Sequence, residues 1–147
     1  MNRTLSFVFA ALIAFPAIAE NEAQATINDL TVPAGDSDLS EFMWSKRPIV
    51  VFADSPDDPR FAEQMDRLSS GADVLQDRDI VVLTDTDPKN PSPLRKKLRP
   101  RGFMLVIIGK DGAVKLRKPL PWTVREITRS IDKMPERERE INLRRGF

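Results

Sequence analysis

Five carboxylates follow two apolar runs: Asp54, Asp57 and Asp58 come after residues 48–53, and Asp85 and Asp87 after residues 79–84. If those runs are neighbouring strands, the five meet at one sheet edge. Clustered carboxylate oxygens suit a hard cation such as calcium. A carboxyl whose pKa is raised by its neighbours can serve as an acid in a hydrolase or lyase. The plainer reading gives Asp57 or Asp58 to the positive end of the following helix and leaves the others solvated. It is preferred because the spacing fits no EF-hand loop, and spacing alone brings no pair to working distance. Asp54, Ser55, Asp57, Asp58, Arg60, Asp85 and Asp87 are therefore read as a binding surface, with no catalytic or metal-ligating residue among them.

Composition narrows the chemistry further. The chain has no cysteine, no histidine and no tyrosine. That excludes thiol–disulfide exchange, a thiolate nucleophile, imidazole acid–base work, and zinc, haem or copper sites that need Cys or His ligands. Carboxylates and lysines are left for proton transfer. No cofactor is expected. Without disulfides, stability has to come from packing and backbone hydrogen bonds.

Two basic segments, Arg95-Lys96-Lys97 with Arg99 and Arg101, and Lys115 with Arg117 and Lys118, could meet an anionic glycan, a lipid headgroup or an acidic partner. They are read instead as the wet faces of a helix and an edge strand, where lysine discourages edge pairing. Trp44 and Trp122 are read as core residues.

The elements that position these groups begin after a leader. Residues 1–19 combine a basic start at Arg3, an apolar stretch over 5–14, a helix-breaking Pro16 and the small-residue pattern Ala17-Ile18-Ala19. This is the form of an export signal cleaved after Ala19. Its apolar stretch falls short of the ~20 residues that span a bilayer, and no later segment is long and apolar enough to insert. The expected mature protein is soluble and lies in the periplasm or beyond. Removing Arg3 balances the 23 basic residues of the full chain against its 22 acidic ones, so overall charge gives no reason to expect a nucleic-acid partner. Residues 20–33, polar and without a period, read as a flexible lead-in, with order beginning near Val32.

Downstream, Asp38 and Glu41 have capping-box spacing and open a short helix with Leu39, Phe42 and Met43 on its apolar face. Residues 48–53 form a continuous apolar, β-branched run, the pattern of a strand covered on both faces. Phe61, Met65 and Leu68 share one face of a helix over 59–69 with Pro59 in its first turn, and Gly71 ends it. Residues 79–84 read as a second buried strand, parallel to the first through a right-handed crossover. A short basic helix through Leu98 follows Asn90-Pro91-Ser92-Pro93, then a strand over 103–108 expected to lie centrally. The turn at 109–112 forms a hairpin with a strand over 113–117, whose apolar and basic residues alternate. Thr123 and Glu126 cap a last long helix faced by Val124, Ile127, Ile131 and Met134 and ending near Pro135. The charged residues beyond either continue as a solvated helix or fray.

This order predicts one α/β domain, a mixed central sheet of about four strands flanked by helices. It is the thioredoxin-like order. Phe42-Met43-Trp44 with Arg47-Pro48-Ile49-Val50-Val51-Phe52-Ala53, the run from Ile107-Ile108-Gly109-Lys110-Asp111-Gly112 to Arg117, and Ile131-Asp132-Lys133-Met134-Pro135 with Arg137 and Glu140 resemble the family of unknown function numbered 4174 (DUF4174). The resemblance covers residues 38–140 of a domain expected over 34–140, with 20–33 as its lead-in and 141–147 a charged tail. It implies a thioredoxin-like fold in a small exported bacterial protein, with related domains in some animal matrix proteins, and brings no catalytic residue to carry over.

In redox thioredoxins the loop after residues 48–53 holds a cysteine pair, which this chain lacks. It also has no convincing counterpart of the cis-proline facing that pair, since Arg101 and Gly102 separate Pro100 from the strand. The expected work is binding, by an interaction or envelope-accessory module whose partner is another envelope protein. The surface implied is the loop from Asp54 to Arg60, which in the redox relatives meets their substrates. A carboxylate-based or cation-dependent enzyme at the same edge is the alternative: convergent acids in a concave pocket would favour it, and splayed acids on a shallow surface would favour binding.

Overall fold

The structure, a computed structural model, describes residues 25–146, so the leader read over 1–19 lies outside the described residues. Within the stretch read as a flexible lead-in, the chain forms a one-turn helix α1 (Ile27–Leu30) and a short strand β1 (Thr31–Pro33). Thr26 donates its backbone N–H and its hydroxyl to the Asp29 carboxylate, which fixes the start of α1. Leu30 and Ala34 are buried. Order therefore starts ahead of Val32, held by tertiary contacts that a polar, aperiodic stretch does not announce.

The helix expected after Asp38 is a single 3-10 turn over Ser40–Phe42. Asp38 accepts from the Ser40 N–H at 3.0 Å and from its hydroxyl, an Asx turn in place of the capping box with Glu41. The segment ends at Trp44, whose φ of 62° is left-handed and whose N–H donates to the Lys110 carbonyl at 2.8 Å. That backbone leaves Trp44 69% exposed, so it is not a core residue.

The next strand, β2 (Arg47–Phe52), is buried at every position. Helix α2 (Pro59–Ser69) matches the bounds read from the sequence. Gly71 separates it from a second short helix, α3 (Ala72–Gln76), which buries Ala72 and Leu75. A Cβ on Gly71 would lie 2.7 Å from a Val124 methyl, so glycine is what lets the junction of α2 and α3 pack against that later residue. Strand β3 (Ile80–Asp85), helix α4 (Pro93–Leu98), strands β4 (Met104–Ile108) and β5 (Val114–Lys118), and helix α5 (Val124–Asp132) follow. Helix α5 ends just before Pro135, as read from the sequence, and the charged residues beyond continue as a helix: Pro135 opens α6 (Pro135–Arg145) from the first turn, where its missing N–H costs nothing. Trp122 packs partly buried against the core, with Lys118 Nζ 4.8 Å from its ring centroid.

The sheet order is β1-β3-β2-β4-β5, five strands where about four were expected. β2 is the central strand and β4 lies one place to its side. β2 and β3 run parallel with Phe52 beside Asp85, so the loops that follow them are adjacent; β4 runs antiparallel to both β2 and β5. Alternation along β2 divides the core. Ile49 and Val51 face Leu68, Leu75, Ile127 and Ile131, while Val50 and Phe52 face Leu83, Leu94, Leu98 and Val106. Among the described residues no helix is long and apolar enough to cross a membrane.

Candidate functional site

The carboxyl ends of parallel strands are where open α/β sheets place ligand sites, and here those ends belong to β2 and β3. Ala53 is buried and ties the edge together: its N–H donates to the Asp85 carbonyl at 3.0 Å, and its carbonyl accepts from Arg95 Nη2 at 2.9 Å. The chain then folds into a tight turn. Ser55 Oγ accepts from the Asp57 N–H at 3.1 Å, and the Ser55 carbonyl accepts from the Asp58 N–H at 3.2 Å. Asp58 is the N-cap of α2, accepting from the Arg60 N–H at 2.9 Å. Its second oxygen takes Arg60 Nη2 at 3.0 Å, and the Arg60 guanidinium lies 5.8 Å from the Phe103 ring centroid.

Asp85 sits beneath this loop, 7% exposed. Arg95 grips one of its oxygens through Nε at 3.1 Å and Nη2 at 2.9 Å. The other accepts the Ser92 hydroxyl, and Ser92 in turn caps α4 by accepting from the Arg95 N–H at 3.0 Å. The Arg95 guanidinium also lies 5.4 Å from the Phe52 ring centroid. Its outer nitrogen, Nη1, reaches only to 4.0 Å from the Asp54 carboxylate. Asp87 forms a turn of its own, accepting from the Lys89 N–H at 3.2 Å and the Asn90 amide at 2.8 Å.

The seven expected residues thus share one sheet edge, but the five carboxylates do not converge. Asp58, Asp85 and Asp87 are each bound to separate donors, while the Asp54 and Asp57 side chains are exposed. Among the described residues no three carboxylates group as a metal site would require. The electrostatics follow the geometry. Hydrogen bonds from Arg60 lower the Asp58 pKa, and one from Asn90 leads in lowering that of Asp87. Burial pushes Asp85 up, but hydrogen bonds from Arg95 and Ser92 outweigh it and leave its pKa below the ordinary carboxylate value. These three are charged at neutral pH and have no proton to give. Two clefts in the described surface lie elsewhere, one of about 390 Å³ along α5 past Arg125, Arg129 and Lys133, the other between Leu39, Phe42, Met43 and Gly112.

Sequence reasoning misses Arg95: its basic neighbours suggest a solvated face, yet it is 8% exposed. A signal was present. Leu94, Arg95 and Leu98 fall on one stripe of a 3.6-residue helix, so the arginine shares the inward face of its leucine neighbours. Lys96, Lys97, Arg99 and Arg101 are exposed as expected.

Solved structures share this architecture. The reduced 2-Cys peroxiredoxin of Plasmodium vivax is 18% identical, with a TM-score of 0.55 over 69% of this chain and 84% of its own. A yeast mitochondrial 1-Cys peroxiredoxin is 12% identical, with a TM-score of 0.53 over 75% of this chain and 100% of its own. A chloroplastic thioredoxin z is 23% identical, with a TM-score of 0.49 over 60% of this chain and 78% of its own. At such identities the likeness to the two peroxiredoxins concerns the fold alone, a thioredoxin-like α/β domain. The two peroxiredoxins are named for cysteines, a residue this chain does not contain. The family model for a domain of unknown function (DUF4174) matches residues 38–140, and the chain belongs to that family.

Proposed function

We propose that this chain is an exported, non-redox thioredoxin-like binding module whose working surface is the loop from Asp54 to Arg60, and that its partner is another envelope protein. The observation that carries the reading is the splay of the acids. Asp54 and Asp57 project from a loop whose backbone is fixed from within by Ser55 and Asp58 and from beneath by Arg95. Such a loop is preorganised, so little ordering entropy is lost when a partner binds. Exposed acids beside Arg60 give the surface both signs of charge, which suits selection among protein partners. Export rests on the three-part leader pattern of residues 1–19. The geometry favours binding over a carboxylate enzyme, because an acid catalyst needs a raised pKa and the engaged carboxylates of this edge have lowered ones.

The test is an in-cell crosslinking pull-down of the tagged protein, comparing the wild type with an Asp54→Ala, Asp57→Ala double variant. Both positions are exposed, so the variant is expected to fold. A specific envelope protein captured by the wild type and lost from the variant is the expected result. Capture unchanged by the double substitution would remove this loop as the surface, and no specific capture by either form would count against binding itself.

A further inference from the structure

At the opposite end of β2, about 20 Å away by strand rise, Arg47 opens the strand and is fully buried. Its Nη1 and Nη2 donate to the two oxygens of Glu140 at 3.3 and 2.9 Å, a bidentate fork of the kind that recognises a planar carboxylate. Lys110 Nζ, from the turn between β4 and β5, lies 2.8 Å from the same Glu140 Oε1 and 2.8 Å from Asp79. Two cations fixed on the sheet therefore converge on one carboxylate carried by α6. Arg47 Nε is also buried without a hydrogen-bond partner, so the arginine has a donor that Glu140 leaves unused.

Little besides charge holds α6 in place. Its one buried residue is Arg137, which pairs with Asp77 at 2.8 Å and donates to Glu140 at 3.3 Å. Arg144 reaches Asp77 at 3.0 Å. A helix with no apolar stripe, held by ion pairs, belongs to the weakly held elements of a fold. If it lifts, Arg137 leaves with it, and Arg47 keeps only the Arg78 carbonyl, 3.0 Å from its Nη1. That would leave Arg47 and Lys110 side by side without the carboxylate they share, so the favourable route is exchange of one carboxylate for another.

We infer that Arg47 and Lys110 form a carboxylate-binding cradle that Glu140 fills as an intramolecular occupant, and that an acidic side chain of a partner protein takes its place. The site is separate from the Asp54–Arg60 loop and does not rest on the function proposed for it.

The test uses the full chain carrying Glu140→Ala, with acetate as the probe and chloride at matched ionic strength and neutral pH as the reference. Acetate is expected to raise the melting temperature of the variant saturably by a few degrees, while the wild type behaves alike in both salts. Adding Lys110→Met to the variant is expected to abolish the acetate-specific rise. Equal responses of the variant to the two salts, or an equal acetate rise in the wild type, overturn the proposal. Should Glu140→Ala fail to fold, Glu140→Gln keeps the side-chain shape without its charge. In that variant acetate is expected to speed amide exchange along α6, and equal exchange in the two salts overturns the proposal.

Discussion

Arg95 stands in a run of cations, yet its guanidinium turns inward and holds Asp85. Their side chains are 9% and 5% exposed, so each is the other's main compensation for lost water. Arg95→Met is expected to cost about 3–5 kcal/mol, because it leaves a buried carboxylate with Ser92 as its remaining side-chain donor. Much of that loss should return in the Arg95→Met, Asp85→Asn double variant, and urea unfolding of the wild type, each single variant and the double variant measures both terms. A single variant within 1 kcal/mol of the wild type would contradict this account. Arg47, Arg95 and Trp44 share a lesson about single residues. Type and neighbours along the chain suggest solvation or burial, but the outcome depends on partners distant in sequence: Glu140 for Arg47, Asp85 for Arg95, and the Lys110 carbonyl for Trp44.

Elements were legible where local chemistry repeats. In α2, Pro59, the Asp58 cap and the period of Phe61, Met65 and Leu68 act together, and the helix runs over the residues that pattern marks. The capping box of Thr123 and Glu126 forms at the start of α5. β1 and α3 are too short to show a period; β1 exists because Thr31, Val32 and Pro33 pair with Val82, Leu83 and Thr84, some fifty positions on. Helix α6 lies between these cases, since its alternating charges allowed either a helix or a frayed tail.

Its attachment is expected to depend on pH. Burial pushes Glu140 up, but hydrogen bonds from Arg47 and Lys110 outweigh it and bring the pKa from 4.5 to about 2. A group with a depressed folded-state pKa stabilises the fold above its unfolded value and loses that contribution as protons bind. The contribution of Glu140 is therefore complete above about pH 5 and disappears towards pH 2, a loss of at most about 3 kcal/mol. Asp79, Asp77 and Arg137 lie in the same network, so the measurement is a difference. The stability gap between the wild type and Glu140→Gln is expected to close as pH falls through that window, and a gap constant with pH would contradict the assignment.

For the whole molecule, hydrophobic pattern and element order led to the layered α/β architecture and to the edge where the loops after β2 and β3 meet. They did not lead to the chemistry of that edge, because whether carboxylates converge depends on which of them find an arginine or a hydroxyl once the strands pair. The three separated stretches that carry the family resemblance meet in space at the other end of the sheet, through Arg47, Lys110, Arg137 and Glu140. One end of β2 thus closes a polar network, and the other presents a fixed loop to the surroundings.

Proline stands in the first turn of three described helices: Pro59 in α2, Pro93 in α4 and Pro135 in α6. Each ring fixes one φ before folding begins, so the unfolded chain has fewer shapes to surrender. At ~0.4–1 kcal/mol per compatible site, the three together approach the ~2 kcal/mol at the low end of a typical disulfide. Replacing all three with alanine is expected to lower the unfolding free energy by about 1–3 kcal/mol, equally with and without a thiol reductant, and an unchanged triple variant would refute the argument. The chain thereby restrains its unfolded ensemble with rings that no change of redox potential can open.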